Sequence, residues 1–383
     1  MRGAPIGRRV VAGWGLGPAV RWHHGESVLV VGPTRCGKTA GVVIPAILRW
    51  PGPVVVTSVK RDVLAATGPW RAALGEVQVL DPGRGDGLTW DPLEGVRDSR
   101  EAHRVARALA SRVGGRVDAE FWNELAAKLV ALLLVRARER DRDIGEVARV
   151  LESRDFDPWL EGEGRDAMAL RDFLGHDPRT LDSVLTTAET MLWPWREPQP
   201  RAVVRRTLDG PNSLYLCSPR GEQEHYQALF VGALRSVLEE QQRRADAGRS
   251  RPLLLVLDEA PAVAPLAELD ELAATVAGLD VTLVTVVQDF AQMVARWGPR
   301  AATIVNNHHT RVVFAGLVDP TAATYVPELA PRARREGRPA PSWRERTPRT
   351  ALVVAGHRRA VSVRARPWWR TRLARRAGPR PPR

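Results

Sequence analysis

A glycine-rich segment that follows directly on a short apolar run is the feature of this sequence that most limits its fold. Residues 27–31 (SVLVV) are apolar and mostly β-branched, which predicts a buried strand. The run leads into GPTRCGKT at residues 32–39, a match to the pattern GxxxxGK[ST], and residues 39–48 are predicted to form a helix. A strand, this loop and a helix in that order predict an α/β fold whose loop binds phosphate groups.

Each residue type in this loop has a physical reason. Gly32 and Gly37 permit backbone angles and close approaches that side chains would block, so successive N–H groups can surround a phosphate. Lys38 supplies a positive charge for the β- and γ-phosphates, and the hydroxyl of Thr39 is a ligand for Mg²⁺. Only three of the 57 basic residues are lysines, which favours a chemical reason for keeping Lys38. The candidate phosphate-binding residues are Gly32, Pro33, Thr34, Arg35, Cys36, Gly37, Lys38 and Thr39.

A second apolar run ends in two carboxylates. Residues 253–257 (LLLVL) predict a strand covered on both faces, and Asp258 and Glu259 follow it. We expect Asp258 to hold Mg²⁺ together with Thr39, and Glu259 to polarise the attacking water. The acidic pair together with the loop predicts hydrolysis of a nucleoside triphosphate.

A third apolar run, residues 281–287 (VTLVTVV), predicts another strand and ends in Gln288. In RecA-like motors a polar residue at the tip of this strand senses the γ-phosphate, and glutamine suits the task because it both donates and accepts hydrogen bonds. The alternative interpretation of Gln288 is a helix cap or a surface residue.

The positive charge of the chain is concentrated at its C-terminal end. The formal net charge is +13, but residues 331–383 contain 17 of the 57 basic and 2 of the 44 acidic residues, which leaves residues 1–330 at −2. A basic nucleic-acid-binding body is therefore excluded. Residues 351–355 and 360–366 predict a terminal hairpin, and residues 370–383 predict a disordered tail able to bind DNA phosphates or an anionic membrane.

The sequence predicts neither a membrane span nor a disulfide framework. Its longest apolar run, residues 129–135, is far shorter than the roughly 20 residues of a spanning helix. The two cysteines, Cys36 and Cys217, and an N-terminus without the apolar stretch of a signal peptide favour the cytosol.

Seven segments spread along the chain carry a resemblance to a known family. They are GPTRCGKT at 32–39, GPVVVTSVKRDVL at 52–64, VLDPGRGDGLTWDPLEG at 79–95, FWNELAAKLVALLL at 121–134, SLYLCSPRGEQEHY at 213–226, LLLVLDEAPAVAPL at 253–266 and VTVVQDFAQMVARWG at 284–298. Together they resemble the TraG/TraD-like coupling ATPases of type IV secretion and conjugation, in the form common in actinobacteria. The loop and the Asp-Glu strand occur in many motors, whereas the SVKRD, TWDPL and QDFAQ segments narrow the resemblance. Within TWDPL we interpret Asp91 as a residue that fixes a turn.

The resemblance implies a RecA-like P-loop domain with a mainly parallel sheet, interrupted by an all-α insert and assembled as a ring of six around DNA. Residues 97–195 support the insert, because they are rich in Ala, Leu, Arg and Glu with helical periodicity. The predicted divisions are an N-terminal arm at 1–24, the RecA-like domain at 25–96 and 205–330, the insert at 97–204, a Pro/Arg-rich loop and hairpin at 331–369, and the tail at 370–383.

The family also implies an arginine that reaches the nucleotide site of the neighbouring subunit. Many relatives carry it between the Asp-Glu pair and the glutamine strand, but residues 259–287 contain neither Arg nor Lys. The remaining candidates are Arg296, Arg300 and Arg311. We prefer Arg311, because it opens the predicted strand 312–314.

The resemblance implies a coupling protein that binds ATP and Mg²⁺ and drives relaxase-bound single-stranded DNA towards a type IV secretion channel. The implied partners are DNA, relaxase or relaxosome proteins, the channel or a membrane-anchored protein, and further copies of the chain in a hexamer. With no span of its own, the protein is expected in the cytoplasm and at the inner face of the cell membrane when anchored. Two alternatives stay open: a double-stranded DNA pump of the FtsK/HerA type, and an ATP-binding adaptor that recruits secretion substrates without moving DNA.

Overall fold

The computed structural model describes residues 2–11, 15–84, 87–110, 117–218, 221–317, 319, 321–326, 347, 349–356 and 359–377. The chain divides into two compact units. One comprises Met1–Gln78, Arg206–Cys217 and Glu240–Arg383, and the other comprises Val79–Arg205 and Ser218–Glu239.

Thirteen strands occur in the described residues. They are β1 (Arg2–Val11), β2 (Gly15–His23), β3 (Ser27–Val31), β4 (Val54–Ser58), β5 (Val77–Leu80), β6 (Thr89–Trp90), β7 (Arg201–Ala202), β8 (Ser213–Cys217), β9 (Leu253–Leu257), β10 (Val281–Val287), β11 (Thr310–Phe314), β12 (Thr350–Ala355) and β13 (Val361–Arg364).

The helices are α1 (Ile44–Arg49), α2 (Asp62–Ala72), α3 (Ser99–Ala110), α4 (Val117–Glu139), α5 (Ile144–Ser153), α6 (Asp157–Leu160), α7 (Arg165–Leu174), α8 (Pro178–Leu192), α9 (Gln223–Asp246), α10 (Ala260–Val263), α11 (Leu269–Thr275), α12 (Phe290–Trp297), α13 (Arg300–Asn307) and α14 (Ala322–Tyr325). A π-helical stretch, Thr39–Val43, runs directly into α1. None of the described helices is both long enough and apolar enough to cross a membrane.

The central sheet confirms the predicted α/β fold with a mainly parallel sheet. Its strand order is β2-β1-β13-β12-β11-β3-β10-β9-β4-β8-β5. The neighbours from β11 to β8 pair in parallel, and every residue of β3, β4, β8, β9 and β10 is buried. Buried parallel strands read as continuous apolar runs, which is why the sequence predicts them well. Because these strands are parallel, the segments that follow β3, β4, β9 and β10 meet at one edge of the sheet.

A fully buried arginine holds the opposite edge of this sheet together. Arg71, in α2, donates from Nη1 to the carbonyl of Trp50 and from Nη2 to the carbonyls of Gly52 and Pro211, each at 2.7 Å. Its Nε donates to the hydroxyl of Ser213, also at 2.7 Å. Burial lowers the pKa of this guanidinium, and backbone carbonyls satisfy its donors. The side chain therefore ties the starts of β4 and β8 to α2.

The second unit contains the helices of the predicted insert together with strand structure that the prediction lacks. Helices α3 to α8 occupy Ser99–Leu192. Strand β7 also lies within the predicted insert, residues 97–204, and pairs in parallel with β6, so these residues are not all helical. A two-residue strand has no periodicity that a sequence can show. Trp90 of β6 is 1% exposed, and a Cβ on Gly232 would lie 2.2 Å from its ring, so this tryptophan packs directly against the α9 backbone. Asp91 accepts a hydrogen bond from the amide of Leu93 at 2.9 Å, which agrees with a turn-fixing role.

The C-terminal end contains the predicted hairpin but differs from the predicted tail. Strands β12 and β13 pair antiparallel, and β13 pairs with β1 of the N-terminal arm. Residues 370–377, assigned to a disordered tail, instead continue the fold: Leu373 is 5% exposed, and the Arg376 guanidinium lies 4.6 Å from the ring centre of Trp70. Leu373 is thus buried by the rest of the chain and Arg376 stacks on a distant ring, which a local composition argument overlooks. Residues 378–383 and most of the Pro/Arg-rich loop lie outside the described residues.

Buried His308 makes the stability of the sheet depend on pH. Its Nδ1 donates to the carbonyl of Ile304 at 2.6 Å, and its Nε2 accepts from the hydroxyl of Thr285 at 2.9 Å, so the ring is neutral. Burial, assisted by the charge of Arg311, lowers the pKa of His308 to about 4. A lowered histidine pKa means that the unfolded chain binds more protons between pH 6.5 and 4. We expect this group to contribute stability fully above about pH 6.5, and to lose on the order of 1–2 kcal/mol of it by pH 5.

Urea unfolding at pH 7.5 and pH 5 measures this contribution. In His308→Asn the loss of unfolding free energy on acidification should be smaller than in the wild type by that amount. His23→Gln is the control, because His23 is an exposed histidine. Equal pH dependence in the wild type and His308→Asn would contradict the assignment.

Candidate nucleotide-binding site

The loop at residues 32–39 is packed so tightly that its glycines are obligatory. A Cβ on Gly32 would lie 2.6 Å from the Cβ of Phe314 and 2.8 Å from Sγ of Cys36, and Gly37 has a φ of +106°. An L-amino acid would clash at the first position and be strained at the second. Burial raises the pKa of the Cys36 thiol, so this cysteine fills space beside Gly32 as a neutral side chain.

Lys38 is folded back onto its own loop. Its Nζ donates to the carbonyl of Gly32 and, at 3.0 Å, to the carbonyl of Pro33, and the residue is 8% exposed. These two carbonyls hold the ammonium at the first residues of the loop. A phosphate placed there would offer Nζ a charged acceptor, which binds more strongly than a neutral carbonyl.

Asp258 lies directly beside the loop. It follows β9, and the hydroxyl of Thr39 lies 3.4 Å from its Oδ2. The pKa of Asp258 is raised to about 7, chiefly by burial and then by the carboxylates of Glu259 and Asp62, while Lys38 and Thr39 lower it by less. A buried carboxylate crowded by acids is favourable for a divalent cation, and the carboxylate and hydroxyl oxygens are the ligands that Mg²⁺ prefers. The residues present therefore fit a bound Mg²⁺.

Asp62 belongs to this acidic group, although it is part of no nucleotide-binding motif in the sequence. It begins α2 after β4, and β4 pairs in parallel with β9, which brings the residues after both strands to one edge. Its carboxylate accepts a hydrogen bond from the amide of Val63 at 2.9 Å. Lys60, two residues earlier, is exposed. The adjacency of the two strands, which the sequence does not show, is the signal that would have identified it.

Glu259 occupies a backbone position that separates it from Asp258. Its φ of 54° and ψ of 47° are left-handed, and its carbonyl accepts from the amides of Ala262 and Val263 at the start of α10. A left-handed residue directly after a strand turns the chain sharply. Such an outlier at the end of a motif strand is typical of a functional site.

Gln288 lies beside the start of the phosphate-binding loop. Val287 pairs with Val31, and the amide of Gly32 donates to the carbonyl of Val287 at 3.3 Å. The Gln288 amide donates to Oε1 of Gln292 at 3.2 Å. The chain thus brings Lys38, Thr39, Asp258, Glu259 and Gln288 to the same edge of the sheet.

The structure does not bring Arg311 to this edge of its own chain. Arg311 is the second residue of β11 and pairs with Leu29, two positions before the end of β3. Its Nε is buried without a hydrogen-bond partner among the described residues. Arg300 is engaged in two hydrogen bonds with Asp270, at 3.0 and 2.6 Å. A role for either arginine in the site of a neighbouring subunit stays a prediction.

The fold and this site define a P-loop nucleotide-binding protein. The chain belongs to the family described as type IV secretory system conjugative DNA transfer, whose model matches residues 5–330. It is 27% identical over 318 residues to the conjugal transfer protein TraG of Escherichia coli, covering 72% of this chain and 50% of that protein. It is 25% identical to VirD4 of Agrobacterium fabrum over 323 residues, covering 78% and 48%. The chain thus spans about half the length of these curated relatives.

The fold is similar to that of a solved bacterial conjugative coupling protein, TrwB lacking 70 N-terminal residues. The unbound form aligns with a TM-score of 0.72 at 18% identity over 94% of this chain and 88% of that one. A TrwB structure in complex with ADP and Mg²⁺ aligns with a TM-score of 0.70 over 94% and 89%. At this level of identity the likeness establishes the fold.

Proposed function

We propose that this protein is an ATP-hydrolysing coupling protein that delivers relaxase-bound single-stranded DNA to a type IV secretion channel. The observation that carries the proposal is the meeting of Thr39 and Asp258 beside the phosphate-binding loop, in a chain of the conjugative DNA-transfer family. The TrwB complex with ADP and Mg²⁺ supports the choice of ligand.

Each site residue has a separate task in this proposal. Lys38 and the loop amides bind the terminal phosphates, and Thr39 and Asp258 hold Mg²⁺, which neutralises phosphate charge when bound. Glu259 orients the attacking water and accepts its proton. Gln288, beside the first loop residue, responds to the presence of the γ-phosphate.

The wider assembly follows from the family. We propose a hexameric ring in which Arg311 of one subunit approaches the nucleotide of the next, and which carries DNA through its pore. Relaxase proteins and a membrane-anchored channel component are the proposed partners, with the protein in the cytoplasm at the inner face of the cell membrane. The family match to residues 5–330 favours this proposal over a double-stranded DNA pump.

The decisive experiment measures ATP turnover by the purified chain without DNA and with single- or double-stranded DNA, together with the mass of the assembled particle. We expect stimulation by single-stranded DNA in particles of six chains. The variant Lys128→Ala, an exposed lysine of α4, is the matched control and should behave like the wild type. Stimulation by double-stranded DNA alone would identify a pump, and tight ATP binding without DNA stimulation in assembled rings would identify an adaptor.

A further inference from the structure

The C-terminal part of the chain runs along the helix that follows the phosphate-binding loop. We call the described residues between Arg349 and Arg376 the C-terminal strap. A Cβ on Gly41, two residues after the loop, would lie 2.9 Å from the Cβ of Ala365. Near the other end of the helix, Nη1 of Arg376 donates to the carbonyl of Leu48 at 3.2 Å. The strap therefore follows this helix from its first turn to its last.

The same strap reaches the loop itself at Arg349. A Cβ on Gly37 would lie 3.2 Å from Cγ of Arg349, 3.8 Å from its Cδ and 3.9 Å from its Cβ. The aliphatic stem of the arginine thus covers Gly37, the residue before Lys38. Gly37 is required here for its positive φ, and a side chain at this position would also press on the stem of Arg349.

Backbone contacts hold Arg349 in this place. Its φ of 68° is left-handed, and its carbonyl accepts from the amide of Ala365 at 3.0 Å. Ala365 is also the strap residue that packs on Gly41. This hydrogen bond therefore links the strap contact at Gly37 with the strap contact at Gly41. The next residue, Thr350, begins β12, which fixes the direction in which Arg349 enters the sheet.

The guanidinium of Arg349 is available for a ligand. Within the part of the chain that the structure describes, it makes no hydrogen bond and no ion pair with a protein group. Its stem lies on the residue that precedes Lys38, in a loop of the kind whose backbone amides bind anions. A phosphate bound at the loop would attract this guanidinium as well as the ammonium of Lys38. Arginine binds phosphate oxygens through a planar array of donors, which lysine does not offer.

We propose that Arg349 is a second cationic phosphate-binding residue, acting on the nucleotide of its own chain. Its guanidinium binds oxygens of the α- and β-phosphates, while Lys38 binds the β- and γ-phosphates. This inference rests on the proposed nucleotide binding at the loop. It gives one arginine of the basic C-terminal end a place in the site, while the DNA or membrane binding predicted for residues 370–383 stays a separate prediction.

An arginine that acts in its own chain is distinguishable from one that acts across a subunit interface. Loss of Arg349 should weaken nucleotide binding even in single, dilute chains, for ATP and ADP alike, since both carry α- and β-phosphates. Loss of an arginine acting in the neighbouring site should lower turnover in the assembled ring and leave the affinity of single chains unchanged.

The test is calorimetric titration of the full chain with ATP, ADP and inorganic triphosphate in the presence of Mg²⁺. Arg349→Met keeps an aliphatic stem over Gly37 and removes the charge, and should raise Kd about 10-fold for all three ligands. Arg349→Lys keeps the charge and should recover part of this loss. Methionine and lysine meet the same left-handed backbone as arginine, so conformational strain does not separate the variants. Arg370→Ala, an exposed strap residue, is the control and should bind like the wild type.

Three results would overturn the inference or its basis. If Arg349→Met binds ATP as tightly as the wild type, Arg349 does not bind phosphate. If ATP affinity falls but inorganic triphosphate affinity does not, the side chain contacts the nucleoside instead. If the wild type itself fails to bind ATP, the proposed function fails, and this outcome is separate from the other two.

Discussion

Replacing Lys38 with alanine is expected to reduce ATP hydrolysis by at least about 100-fold, to the background of the assay. The other two lysines, Lys60 and Lys128, are exposed and lie outside residues 32–39. Its Nζ is held on the carbonyls of Gly32 and Pro33, where a phosphate would compete for it. Alanine removes the positive charge that balances the terminal phosphates in the transition state.

The measurement is steady-state phosphate release by Lys38→Ala, with ATP affinity determined separately. Because Lys38 also bonds to loop carbonyls, thermal unfolding must show that the variant is folded. Lys128→Ala is the control, since it removes the same side chain from a solvated position on α4. Substantial hydrolysis by folded, pure Lys38→Ala would exclude the loop as the catalytic site and with it the proposed ATPase.

Replacing Glu259 with glutamine is expected to lower ATP turnover by about 10²–10⁴-fold while ATP still binds. Glutamine has the same shape and meets the same left-handed backbone, so the turn into α10 is retained. The amide cannot accept a proton from the attacking water. The Glu259 carboxylate is one of the groups that raise the pKa of Asp258, so its removal lowers that pKa and favours the ionised form. The Asp258 carboxylate therefore stays available for Mg²⁺, and ATP should bind.

Single-turnover hydrolysis and equilibrium ATP binding, measured on the same preparation, separate the chemical step from binding. The control is Glu271→Gln, because the Glu271 side chain is 75% exposed and pairs with Arg300 on the surface. A Glu259→Gln variant that hydrolyses ATP at the wild-type rate would show that another group accepts the proton. A variant that no longer binds ATP would show that Glu259 belongs to the binding step.

Most of the site could be predicted because its parts are local. A strand, a tight turn and a helix in immediate succession specify the loop from Gly32 to Thr39. In the structure a Cβ on Gly32 would clash with its neighbours, and Gly37 has a positive φ, as the sequence predicts for these two glycines. Apolar runs predict the buried parallel strands, and each run ends at the residue that carries charge or amide chemistry. Asp258 and Gln288 are therefore recognisable without knowledge of which strands are neighbours.

The parts that could not be predicted depend on contacts between distant segments. Asp62 joins the acidic group only because β4 lies beside β9. Arg349 reaches Gly37 across more than 300 positions of sequence. Residues 370–377 read as a tail, because a local window contains too few apolar residues to fold alone.

The sequence by itself determined the class of fold, the phosphate-binding loop, its acidic partner strand and the family, since these follow from residue order over short distances. Only the tertiary structure decided which carboxylates share one edge of the sheet, where Arg311 lies, and that the arginine-rich end is strapped along the helix behind the loop. The physical reason is that burial and charge interactions depend on distance in space. Arg376 and Arg349 meet Trp70 and Gly37 only after folding has brought distant parts of the chain together.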